Sequence, residues 1–195
     1  MRRLWFAIPL LAVAIGAWRW AFTLTFEADT TPQGAYQRIA KNVSEGKIDD
    51  VFAYLETEAQ WASFTIRDAR LKACRAIQSH YPAEEGAPLL EHYKEECAAP
   101  DGPQVFALVA KRRGWVPRLK RDLSGVARTE VEGPRATVVT ARGTRYSFRR
   151  RDNGIWGLTL FTAELLAESE RASRDLITVE KAAQDYERTR AAREP

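Results

Sequence analysis

The stretch VARTEVEGPRATVVTARGTRYSFRRRDNGIWGLTL, Val126 to Leu160, decides the fold. Ala127, Thr129 and Val131 alternate with Arg128, Glu130 and Glu132, the period-two pattern of a strand with one wet face. Gly133-Pro134 turns the chain. Residues 135–141 read as a second strand, Arg142-Gly143 as a turn, and residues 145–150 as a third strand. Asp152-Asn153-Gly154 is a hairpin signal, because Asn and Gly tolerate positive φ. A fourth strand then carries Trp156, Leu158 and Leu160 on one face. The pattern predicts an antiparallel meander. Arg149, Arg150 and Arg151 at its last turn are a candidate polyanion patch. Alternation sends them to different faces, whereas a phosphate cradle needs them convergent. They read better as a solvated strand end, and no nucleic-acid partner is expected.

Upstream of the meander the period is helical. Thr31-Pro32 is a cap followed by proline at the first helical position, Tyr36, Ile39, Ala40 and Val43 form one stripe, and Gly46 ends it. A short helix follows on Ile48, Val51, Phe52 and Leu55. Thr57 with Gln60 fits a capping box opening a longer helix, whose Ala62, Ile66, Ala69, Ala73 and Ile77 share a face. The stretch YPAEEGAP breaks that helix, and a fourth runs from about Pro88 to Cys97. After PDGP, Val105, Phe106 and Val109 mark a fifth, closed by Gly114. Helices followed by a meander imply an α+β domain, a helical layer packed on a sheet.

Downstream, one long charged helix carries Leu165, Ala172, Leu176, Val179, Ala183 and Tyr186 at heptad-like spacing. This stripe is a candidate surface for a protein partner or a homodimer, and equally a seam that docks on its own domain. Cys74 and Cys97 are the only cysteines. They are a candidate disulfide, and equally two small buried side chains.

The chain has 195 residues, room for one domain of ordinary size. Between Lys111 and Arg151 stand 13 Lys/Arg against 3 Asp/Glu, and between Glu45 and Asp101 stand 6 against 12. A basic sheet beside an acidic helical layer accounts for this asymmetry without a polyanion. At the start, two arginines precede an uncharged run from Leu4 to Ala17, as in a signal peptide, with Ala14-Ile15-Gly16 as a cleavage site. Apolar character resumes up to Phe26, and Trp18 and Trp20 flank Arg19 as an interfacial anchor would. The expectation is a retained membrane anchor with the domain outside, in the periplasm if the source is bacterial. The expected division is residues 1–28 as signal peptide or anchor, 29–162 as the α+β domain and 163–195 as a helix with a frayed tail.

The helices followed by the meander resemble the nuclear transport factor 2-like superfamily, in particular its small membrane-anchored or exported bacterial members. Ala35 to Gly46 is similar to that family's A-Y-x-x-I-A-x-x-V-x-x-G pattern. Val131 to Val138 and Gly154 to Leu158 are similar to its V-E-G-x-x-A-T-V and G-x-W-x-L strands. The resemblance spans about Thr31 to Phe161 and implies a cone-like sheet wrapped on helices. Its enzymes place Asp, His or Tyr inside the cone. The stretch from His80 to Pro100 and the final helix depart from the pattern.

Chemistry-bearing motifs are sparse. The only two histidines, His80 and His92, sit in the acidic helical stretch without metal-ligand spacing. Asp68 is flanked by Arg67 and Arg70, as in a surface ion pair. No phosphate loop or nucleophile elbow occurs. Trp61, Phe64, Trp115, Tyr146, Phe148 and Trp156 could line a ligand pocket, but read first as core aromatics. No catalytic residue, metal ligand or cofactor is assigned. The leading expectation is a membrane-tethered, non-catalytic binding or assembly module. The alternative is a small-molecule isomerase, dehydratase or hydrolase using the cone.

Overall fold

The computed structural model describes residues 26–193. Helix α1 (Pro32–Glu45) starts where expected: the Thr31 hydroxyl accepts from the Gly34 amide at 3.0 Å, and Gly46 closes the helix at φ 78°. Helix α2 (Ile48–Val51) runs into a 3-10 turn, Phe52–Tyr54. Helix α3 (Thr57–His80) begins without the expected capping box. Glu56 occupies the cap position, and the Gln60 side chain donates instead to the Phe52 carbonyl at 2.8 Å. Helix α4 (Ala83–Ala98) starts upstream of Pro88 and contains it. Gly86 allows this close seating on α3, since a Cβ there would stand 3.1 Å from Ile77 Cγ2. Helix α5 (Gly102–Arg112) is capped by Asp101, and α6 (Trp115–Asp122) occupies residues to which the sequence assigned no element.

The meander follows as strands β1 (Val126–Glu132), β2 (Arg135–Thr140), β3 (Arg145–Arg150) and β4 (Trp156–Leu158), antiparallel in the order β1-β2-β3-β4. The fold is therefore α+β, with helices before the sheet and the long helix α7 (Thr162–Ala191) after it. The register places Ala136 beside Phe148, Val138 beside Tyr146, and Phe148 beside Leu158, so one sheet face is apolar and buried. Between this face and the helices lie Ile39, Phe106, Trp115, Phe161 and Leu165, all buried.

Two backbone segments set the position of α7. Leu55 forms a parallel bridge with Leu158, and the Glu56 amide donates to the Leu158 carbonyl at 3.2 Å. Helices α3 and α7 start from this bridge and run the same way, Arg70 meeting Asp175 and His80 meeting Glu187. Ala59, Ala62, Ser63, Ala69 and Ala73 give α3 a face of small buried residues against which α7 packs closely.

Leu165, Ala172, Val179 and Ala183 are buried in this seam, with Leu176 partly buried against both apolar clusters. Tyr186 packs on Tyr81 with tilted rings, centroids 4.8 Å apart, and its hydroxyl donates to Glu85. This corrects the reading of that stripe as a partner or homodimer surface, because the chain's own α3 and α4 already cover it.

Among the described residues no helix is long and apolar enough to cross a membrane; α3 and α7 are long but charged throughout. This corrects the expectation of membrane tethering, of the membrane as partner and of a membrane-anchored location. The segment up to residue 25, on which that expectation fell, lies outside the described residues.

Candidate functional site

The Asn153-Gly154 turn between β3 and β4 and the first turns of α3 stand side by side, and between them opens a groove of about 320 Å³. Thr57, Gln60, Trp61 and Phe64 line it from α3, and Arg151, Asp152 and Asn153 from the turn. Trp61 is 67% exposed and Phe64 41% exposed. This corrects their reading as core aromatics: the apolar stripe of α3 is carried by its alanines and Ile66, which leaves both rings on the outer side. Phe64 is nevertheless held in place, edge-on to Phe52 at 5.5 Å and against Gly102, where an added Cβ would approach its ring to 2.8 Å. The other four sequence-assigned aromatics, Trp115, Tyr146, Phe148 and Trp156, are buried.

The polar wall is preset. Arg151 donates to the carbonyls of Ala53 at 2.7 Å and Leu55 at 3.1 Å. Its burial pushes the guanidinium pKa down from the usual range, and an arginine so shifted still carries its charge. Asn153 folds back to accept from the Ile155 amide. Arg149 reaches the same segment, pairing with Glu58 at 3.0 Å and Glu56 at 3.5 Å, while Arg150 is exposed. Two of the three arginines of the candidate polyanion patch are thus engaged by the chain's own carboxylates and carbonyls, and Arg150 stands apart from them.

A second polar constellation lies where α3, α4, α5 and α7 meet. Arg70 and Glu96 are 4% and 5% exposed and joined at 2.8 Å. Arg70 also reaches Asp175 at 2.7 Å and lies over the Tyr93 ring, 4.3 Å from its centroid. Arg112 bridges Glu96 at 2.5 Å to Glu168 at 3.0 Å, and Arg113 holds the other Glu168 oxygen at 2.8 Å. Burial works to raise the Glu168 carboxyl, but the Arg113 hydrogen bond and the Arg112 and Arg171 charges outweigh it and hold it below the usual range. Both carboxylates have each oxygen engaged by an arginine. Sequence reasoning missed this network because its members are scattered from residue 70 to 175.

Cys74 and Cys97 are bonded to each other, Cα to Cα 6.4 Å, joining α3 to α4. His80 pairs with Glu187 at 2.9 Å, and His92 lies against Tyr93. Asp68 pairs with Arg67 at 2.8 Å on the surface, while Arg70 turns inward. Among the described residues no group of three or more His, Cys, Asp or Glu could hold a metal. The Tyr146 hydroxyl is buried without a hydrogen-bonding partner, and burial pushes it up to about 12, so it stays protonated near neutrality.

Comparisons with family models, characterised proteins and solved structures give no match for this chain.

Proposed function

We propose that this chain is a non-catalytic binding module whose site is the groove between α3 and the β3–β4 turn. One observation carries the reading: Trp61 stands two-thirds exposed on a helix whose other face is locked into the core. A large ring on a rigid element is presented at little entropic cost, and such rings dominate binding surfaces. Phe64 extends the apolar floor, while Arg151, Asp152 and Asn153 offer a cation, an acceptor and an amide along one rim. That combination suits a protein segment that inserts an apolar side chain and bonds to the rim through its backbone. The space where a cone would open is occupied by Phe106, Trp115, Phe148 and Phe161, which favours a binding module over the small-molecule enzyme. The nuclear transport factor 2-like resemblance belongs to the same proposal, supported by the helical pair that precedes the meander.

The test is affinity capture with the wild-type chain, Trp61→Ala and Trp61→Phe, each checked for an unchanged melting temperature. The reading expects a partner retained by wild type, lost with Trp61→Ala and recovered at least in part with Trp61→Phe. An identical bound set for all three would remove the groove from consideration.

A further inference from the structure

Strand β1 pairs with β2 on one side only, and among the described residues its other edge carries no strand. Edge strands are commonly blunted by proline, charged side chains, bulges or a covering element. Val126–Glu132, VARTEVE, has no proline, its irregularity is confined between Val126 and Arg128, and its charges are of both signs, which repel a foreign edge less than a like-charged row would. Its side chains are mostly exposed, Val131 at 56%. The helical layer therefore does not close over this edge.

The sequence of the strand is complementary to itself. When two copies lie antiparallel about a twofold axis through Thr129, Arg128 of each stands opposite Glu130 of the other. Ala127 then meets Val131, and Thr129 meets Thr129. Centring the pair on Arg128, Glu130 or Val131 instead opposes like charges, which is destabilising across strands. The Thr129 register alone opposes Arg128 to Glu130.

The backbone agrees with this register. Glu132 and Arg135 flank the two-residue Gly133-Pro134 turn and form the closing pair of the hairpin. By alternation Arg128, Glu130 and Glu132 direct their amides and carbonyls to β2, whereas Thr129 and Val131 direct theirs outward. Across the new edge Thr129 would exchange hydrogen bonds with its copy. Arg128 and Glu130 would then occupy the non-hydrogen-bonded sites, where opposing side chains come closest. Within one chain Arg128 already contacts Glu130 at 2.9 Å and Arg145 reaches Glu130 at 2.7 Å, which holds both β1 side chains on the solvent face. The Thr129 hydroxyl is buried on the inner face with no hydrogen-bonding partner among the described residues, so the pairing at Thr129 rests on its backbone amide and carbonyl.

We propose that β1 is a self-association edge. Two copies join antiparallel around Thr129 into one continuous eight-stranded sheet, with both helical layers on the same side. The contact lies at the opposite edge of the sheet from the Trp61 groove and does not depend on that groove's function.

The test uses the full chain and reads the register. Cys74 and Cys97 are consumed by their own bond, so an introduced cysteine supplies a new thiol. Thr129→Cys places two Cα atoms about 5.5 Å apart across the axis, within bridging range. Glu132→Cys places them six residue rises apart, about 20 Å. Mild oxidation should cross-link Thr129→Cys at least about tenfold faster than Glu132→Cys; a like-charge reversal, Arg128→Glu or Glu130→Arg, should slow it about as much. Mixing the two reversed chains restores opposite pairing at both positions and should restore the fast reaction. Equal rates for the two cysteine positions, or a mixture no faster than its components, would overturn the proposal. If the cysteine variants do not fold, sedimentation of the two charge variants decides it: dimer in the mixture alone supports the edge, monomer throughout sinks it.

Discussion

Trp156 fastens the last strand to the start of the helical layer. Its indole N–H donates to the Thr30 carbonyl at 3.0 Å, its ring is buried, and it shares the inner sheet face with Phe148 and Leu158. Trp156→Ala should cost about 3–5 kcal/mol in urea denaturation, as large-to-small core changes do. Arg150 stands opposite Trp156 on β3 but is exposed and forms no ion pair among the described residues, so Arg150→Ala should change stability by less than about 0.5 kcal/mol. The neighbouring residue carries a different constraint. A Cβ on Gly157 would stand 2.5 Å from Glu56 Cα and 2.8 Å from the Leu55 carbonyl oxygen. Gly157→Ala must push apart the two segments from which α3 and α7 depart, at about 1–3 kcal/mol, the usual cost of overpacking. A melt unchanged from wild type would show that this backbone contact yields freely. Trp156 was readable as core from strand alternation alone. Trp61 was not, because a tryptophan on an amphipathic helix can sit at either margin of the apolar stripe, and only the docking of α7 on the alanines decides which.

Among the elements, the meander was the most legible: turn residues fix its register, and residues 145–150 form the third strand as the alternation predicts. The least legible helix is α4, because Pro88 reads as its boundary in the sequence and lies inside it in the structure. A proline in the second turn removes one backbone bond to Glu84, yet α4 is held from outside by the Cys74–Cys97 bond and by the buried Arg70–Glu96 pair. Helix α6 is hard to read because Pro117 and Arg118 stand between its two buried side chains, Trp115 and Leu119, and only those two positions mark an apolar face. The disulfide spans 23 residues of chain, so its closure restricts the unfolded ensemble by about 3 kcal/mol. Reduction, or the pair Cys74→Ser with Cys97→Ser, should lower unfolding free energy by about that amount. Hydrogen exchange should quicken first in α4. Protection lost evenly across the sheet would mean that α4 is not the element the bond secures.

At the scale of the molecule, apolar packing among the described residues falls into two clusters. One lies between sheet and helices; the other, built on Ala73, Cys74, Ile77, Tyr93 and Val179, lies at the far end of α3 and α7. The arginine-carboxylate network occupies the level between them, since Ala69 belongs to the first cluster and Ala73 to the second. Such buried pairs are strongly destabilising to break singly. Glu168 titrates lower in the folded chain than its ordinary value of 4.5, so its contribution is complete above that value and drains away as pH falls through the lower folded one. Stability should therefore drop as pH falls below about 4.5, and Glu168→Gln should be less stable at neutrality with a shallower acid limb. Parallel limbs would place the acid sensitivity elsewhere. The bridge between Leu55 and Leu158 also ties together two segments that leave the ribosome far apart in time. Helix α3 is translated well before α7, so the face of α3 that α7 covers stays bare in the nascent chain until residues 162–191 follow. A transcript truncated before Thr162 should yield a protein that keeps this face bare, and it should co-purify with chaperones that the longer chain does not retain.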